Sequence, residues 1–162
     1  MDVPQGHFAP EAIQFVSTSL SRASDDVHGP MSDTQRFVSS LMAAHKLGPD
    51  ELRRLYESGM LNPVIMHIID SGGGLDAMDR HVDGAQLCRT LKNIAMERWG
   101  MLAPVVLAEW NITSTLDFGR LVIYMVERGM LGSKPEDSLE NFRDVYDFKD
   151  AFAVEIEPPD TL

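Results

Sequence analysis

Asp117, Phe118 and Gly119 spell the tripeptide that holds magnesium in protein kinases. That chemistry also needs a glycine-rich loop over the phosphates, a strand lysine, and a catalytic loop carrying Asp and Asn. None is present, and 162 residues are too few for a two-lobed kinase. The residues around the tripeptide point to a helix instead. Phe118, Leu121, Val122, Met125 and Val126 recur at helical spacing and define one face. Ser114 and Thr115 offer hydroxyl oxygens to the free N–H groups of a first turn, with Asp117 at its positive end. Gly129 stands where a left-handed C-cap belongs. The tripeptide is therefore expected to open a buried helix.

Other chemistry-bearing residues fall short of a site. Asp79, His81, Asp83 and Gly84 reproduce the opening rhythm of an EF-hand loop. Thr90, however, stands where the closing bidentate glutamate belongs, and His81 offers a nitrogen that calcium does not favour. Asp83 is better used as a helix N-cap, paired with Gln86 in a capping box. His7, His28, His45, His67, His81 and Cys88 are scattered, without CxxC, HExxH or paired histidines one turn apart. Cys88 lies on the apolar stripe of its helix and is expected to be an inert, buried thiol. No GxSxG or P-loop occurs, and the glycines at 72–74 lack the lysine of a phosphate cradle. No catalytic, metal or cofactor set is expected. Asp117 and Asp147, with Glu140 and Asp144 nearby in sequence, are the carboxylates an acid–base enzyme would have to desolvate.

Composition narrows the class further. The length suits one domain, and 44% hydrophobic content with mixed charges is that of a globular chain. Apolar runs are too short to span a membrane, and the first residues lack a signal-peptide pattern. With one cysteine, the expected compartment is the cytoplasm. The net charge of −11 repels phosphate backbones, so no nucleic-acid partner is expected. Residues 133–162 contribute nine acids against three bases.

The elements that must position these residues read as helices almost throughout. Pro10 opens a first helix with Ala12, Ile13, Val16, Leu20 and Ala23 as its stripe, ended by the stretch from Ser24 to Pro30. Ser32 and Gln35 have capping-box spacing ahead of a second. Gly48-Pro49 and Asn62-Pro63 open a third and a fourth, and Asp83 and Gln86 a fifth that carries Leu87, Leu91, Ile94, Ala95 and Trp99. The stretch 101–110 is apolar nearly all round and is expected to be central. After the Asp117 helix, residues 135–148 could supply one more, with one short strand compatible with 145–157. The fold class is all-α: a compact bundle of about seven or eight short helices. Residues 1–152 are expected to form one helical domain in which 28–79 is an inserted helical segment, followed by an acidic, Pro-containing tail at 153–162. Trp99 and Trp110 are expected in the core.

Acidic and aromatic residues crowd the C-terminal stretch. Phe142, Val145, Tyr146, Phe148 and Phe152 are first of all a lid over the core, since apolar side chains at helical spacing are usually core. Alternatively they form a docking edge, with Phe142, Tyr146, Phe148 and Phe152 as aromatic anchors and Arg143 and Asp147 as polar ones.

Several of these residues carry a family resemblance. His81, Gly84, Trp99-Gly100, Trp110, Thr115, Asp117-Phe118-Gly119 and Tyr146-Asp147-Phe148, with a Pro-Glu-Ala start to the first helix at 10–12, resemble the pattern of a bacterial family of hypothetical proteins called Minf. The likeness covers residues 8–20 and 81–152, leaves 28–79 as an insertion, and departs at Ile123-Tyr124. It implies a soluble, helical bacterial protein and brings no activity with it. Taken together, these observations favour a non-catalytic interaction module that binds another protein or its own copy. The alternative is a small-molecule- or metal-dependent enzyme using buried carboxylates.

Overall fold

The computed structural model describes residues 8–131 and 137–153, and every regular element in them is helical. The α-helices are α1 (Pro10–His28), α2 (Asp33–His45), α3 (Pro49–Glu57), α4 (Pro63–Ser71), α5 (Gly84–Trp99), α6 (Ala103–Glu109), α7 (Thr115–Glu127) and the single turn α8 (Phe148–Ala151). Short 3-10 turns at Leu75–Met78, Gly100–Leu102 and Leu139–Phe142 connect them. No strand occurs among the described residues, including the described part of 145–157. Residues 154–157 lie outside them.

Most helix starts follow from side chains that satisfy orphan N–H groups. Ser32 with Gln35 and Asp83 with Gln86 both form complete capping boxes. Asn62 caps α4 ahead of Pro63, and Ser114 Oγ accepts the Asp117 N–H at 3.2 Å. Two expectations need correction. Helix α1 does not stop at Ser24 but runs to His28, because nothing in Ser24–His28 breaks a helix before Gly29, whose φ is +77°. The helix expected over 135–148 is absent over its described part, which instead makes the 3-10 turn Leu139–Phe142 and then a turn at Arg143-Asp144, with Asp144 at φ +48°.

The described residues divide into two compact units. One comprises residues 8–23 with 83–131 and 137–153; the other is Ser24–Val82. The first unit is organised around Phe15, Leu91, Leu107, Ile112, Phe118, Leu121 and Met125, all at or below 2% exposure. Full burial of each such side chain is worth about 1.5–3 kcal/mol. Trp99 and Trp110 are half-buried rather than central. They pack on Phe15 with ring centroids 5.3 and 5.8 Å away and meet each other edge to face. Helix α6 is also not central: only Ala103 and Leu107 are buried on it.

The second unit closes over Val38, Leu52, Leu61 and Ile69, with Met42, Leu55, Ile65 and Leu75 packed against them. That core is small, and a polar hub supplements it. Arg80 lies in the extended stretch before α5, and its side chain is only 8% exposed. Its guanidinium donates to Ser24 Oγ at 3.1 Å, Gln35 Oε1 at 3.3 Å, Asp25 Oδ1 at 2.8 Å and the Gly29 carbonyl at 2.6 Å. Gln35 in turn donates to the Ala77 carbonyl at 2.8 Å. One charged group thus ties the end of α1, the start of α2 and the chain after the 75–78 turn. Buried donors so fully matched are costly to orphan.

Arg80→Ala should therefore destabilise the second unit by about 2–3 kcal/mol, since its acceptors lose a buried charged partner while Asp25 is half solvated. The measurement is amide hydrogen exchange at Leu52 and Ile69. A loss below about 0.5 kcal/mol, the level of a neutral surface change, would mean that the hub is incidental.

Candidate functional site

The most specific piece of construction in the first unit is the seat of the C-terminal segment, residues 138–152, on α5 and α7. It begins with two glycines. Gly84 opens α5 and Gly119 lies in the first turns of α7; both are buried, and neither has positive φ. Glycine inside a helix costs about 1 kcal/mol relative to alanine, so backbone conformation does not explain Gly119. Packing does. A Cβ on Gly119 would lie 2.7 Å from both Cβ and Cγ of Phe142, and one on Gly84 would lie 3.0 Å from Cε2 of the same ring. Phe142, at 6% exposure, fills the space left by two absent side chains.

Main-chain recognition is added beside the ring. Thr115 is 1% exposed, and its Oγ1 donates to the Phe142 carbonyl at 2.6 Å while accepting the Val145 N–H at 3.3 Å. At the next residue, the Tyr146 hydroxyl donates to the Cys88 carbonyl at 2.7 Å. Phe148 then packs on Phe118 at 5.8 Å between centroids, and on Phe152 edge to face at 5.1 Å. Tyr146 lies beside both Phe148 and Phe152.

The Asp-Phe-Gly tripeptide has three distinct tasks in this arrangement. The Asp117 carboxylate accepts from the N–H and the hydroxyl of Thr113 at 3.0 and 3.2 Å and from Arg120, locking the start of α7. Phe118 is core, and Gly119 admits Phe142. Asp147 is likewise a cap: it is the N-cap of α8 and accepts the Lys149 N–H at 2.8 Å. Both carboxylates on which an acid–base enzyme would rest are thus engaged at helix starts. Asp79 and Asp83, the first and third ligand positions of the EF-hand fragment, accept backbone N–H groups of His81 and Gln86. No group of three or more His, Cys, Asp or Glu poised for a metal occurs among the described residues.

Of the residues expected at a docking edge, the structure brings Phe142, Tyr146, Phe148 and Phe152 together, with Phe142 and Phe152 buried and Tyr146 and Phe148 partly so. Their rings face α5, α7 and one another rather than outward. Arg143 and Asp147 are exposed, and Arg143 pairs with Glu140 one turn away. Sequence reasoning found these aromatics but not their receptor. Gly119 gave the available signal, a glycine inside an apolar helical pattern that no turn requires. Arg80 gave none beyond being a single cation among acids.

Burial sets the titration of two groups at this seat. It pushes the Cys88 thiol up to about 12, helped by Asp83 and opposed by Arg89, so the thiol is protonated and unreactive. Burial also raises Tyr146, with Cys88 adding to the effect. Groups raised in this way contribute stability that is complete below their unfolded values, 9.0 for the thiol and 10.0 for the phenol, and lost as pH climbs towards the folded ones. The melting temperature should therefore fall as pH rises above about 9. Cys88→Ala should flatten the onset of that fall, and Tyr146→Phe the part that starts near the phenol's unfolded value. Melting curves from pH 7 to 11 that are parallel for all three proteins would contradict this assignment.

No helix among the described residues is long and apolar enough to cross a membrane. Comparison with family models, with curated proteins and with solved structures gives no match, so the likeness to the Minf family rests on the quoted residues alone.

Proposed function

We propose that this chain is a non-catalytic protein-interaction module whose docking surface is the apolar turn at residues 101–105. The observation that carries the reading is the exposure of Met101, Leu102 and Val105 at 61, 63 and 57%. Three large apolar side chains within five positions are presented on a turn that leads into α6, beside buried Ala103 and Leu107. Scattered exposed hydrophobes are ordinary, whereas a contiguous group of this kind is typical of a surface that another protein covers. Methionine and leucine on a short turn can adapt to an irregular receptor.

The occupant that fits is a protein with an apolar groove bordered by lysine and arginine. Net charge of −11 draws such a rim in and repels a second copy of the same chain. The C-terminal segment fits this role less well. Its rings are taken up by α5 and α7, and what it offers outward is charge: Arg143, Asp144, Asp147 and Asp150. Exposed ion pairs such as Arg143 with Glu140 contribute little energy.

The test is affinity recovery at native expression of three forms: wild type, Met101→Ser/Leu102→Ser and Arg143→Ala, each checked for helicity. A stoichiometric partner kept by Arg143→Ala, lost by the double variant and released by raised salt is the expected result. A partner lost with Arg143→Ala but kept by the double variant would move the docking surface to the C-terminal segment. Recovery of the wild type alone would overturn the reading.

A further inference from the structure

The contacts at residues 138–152 are those of a receptor with its peptide. We propose that α5 and α7 form a binding site for a peptide of pattern Phe-x-x-x-Tyr that turns between its two aromatics, and that Phe142 to Tyr146, with their turn at Arg143-Asp144, are its built-in occupant. The site has a shaped pocket for the first aromatic, walled by Gly84 and Gly119: a Cβ at Gly119 would collide with the Phe142 side chain, and one at Gly84 would crowd the ring's far edge. It reads the peptide main chain through a buried hydroxyl, Thr115 Oγ1, which donates to the carbonyl of the Phe and accepts the N–H three residues later. It reads the second aromatic through its phenol, held by the Cys88 carbonyl. Pocket, main-chain clamp and phenol acceptor together define a sequence preference; a generic core contact would need none of the three.

The occupant itself has the character of a ligand. Between Ser138 and Ala153 it contains only two four-residue helical turns, far below the length at which a helix holds its own shape. Its Arg143–Glu140 ion pair is internal to the segment. Its order therefore derives from the receptor. In sequence, only residues 128–136 separate it from α7, so the occupant is presented to its site at high effective concentration. A peptide supplied in trans must compete with that concentration, and removing the ring of Phe142 is the way to vacate the pocket. This proposal is independent of the apolar turn at 101–105 and shares no residue with it.

The experiment uses the full chain carrying Phe142→Ala and a fluorescein-labelled synthetic peptide with the sequence of residues 137–153. Fluorescence anisotropy should show saturable binding to Phe142→Ala. Affinity should fall at least tenfold when the peptide's own Phe is replaced by Ala, or when Gly119→Val is added to the protein. A Phe142→Ala chain that keeps its helical circular dichroism but binds neither peptide, or both equally, would overturn the proposal. Should Phe142→Ala not fold, amide exchange on the wild type decides. The Val145 N–H, held by Thr115, should exchange at least tenfold faster than the Leu91 amide in α5, because a ligand leaves while its receptor stays folded. Exchange of both amides at one common rate would show a segment that never leaves, and the proposal would fall.

Discussion

The contact between the Phe142 ring and the two glycines beneath it constrains more of the first unit than any other. Gly119 gives up about 1 kcal/mol of helix propensity to admit the ring, and Gly84 brings the start of α5 up to its far edge. The segment 138–152 depends on that seat. The Thr115 clamp, the Tyr146 bond to the Cys88 carbonyl and the tilted packing of Phe148 on Phe118 all require the chain to leave Phe142 in one direction and at one height. Remove the ring, and these contacts lose the point from which they are measured.

The two units are held by different physics. In the first, large apolar rings interdigitate and the polar groups among them are few and matched: Ser19 on the Phe15 carbonyl and Thr115 on Phe142. The second has a smaller set of fully buried side chains and relies on one guanidinium to gather three backbone segments. Close packing tolerates little change in volume, whereas a matched ion tolerates little change in charge. The units should accordingly differ in which substitutions they accept: shape-preserving ones around Phe142, charge-preserving and fork-preserving ones at Arg80.

Local signals in the chain made the helices legible. Ser32 with Gln35, Asp83 with Gln86, Asn62-Pro63 and Ser114 each satisfy N–H groups within four residues, so a reader of the sequence can place those starts without tertiary knowledge. The inert character of Cys88 was legible for the same reason, since its position on a helical stripe forecasts burial. What failed was anything set by long-range packing. Residues 135–148 have helical spacing, but over the described part Phe142 is drawn into a pocket on α5 and α7, and the backbone takes the conformation that delivers it there. Residues 101–110 are apolar enough to be central, yet only two of their side chains, Ala103 and Leu107, are buried. Trp99 and Trp110 stop halfway, packed on Phe15 and on each other. The seat itself was half legible: its aromatics stand out in the sequence, while a receptor made of two missing side chains does not.

The central claim is that Gly119 is glycine because Phe142 lies against it, and a double-mutant cycle between the two tests it most directly. In the wild-type background, Gly119→Ala places a Cβ 2.7 Å from the Phe142 side chain and should destabilise the first unit by about 2 kcal/mol or more despite its better helix propensity. In a Phe142→Gly background, which removes the Cβ as well as the ring that the new methyl would meet, the same change should become stabilising by about 1 kcal/mol. A sign reversal of that kind, read by urea unfolding followed through Trp99 and Trp110 fluorescence, is the predicted result. An equal cost in both backgrounds would mean that the glycine and the ring are not coupled, and the account of the C-terminal seat would be wrong.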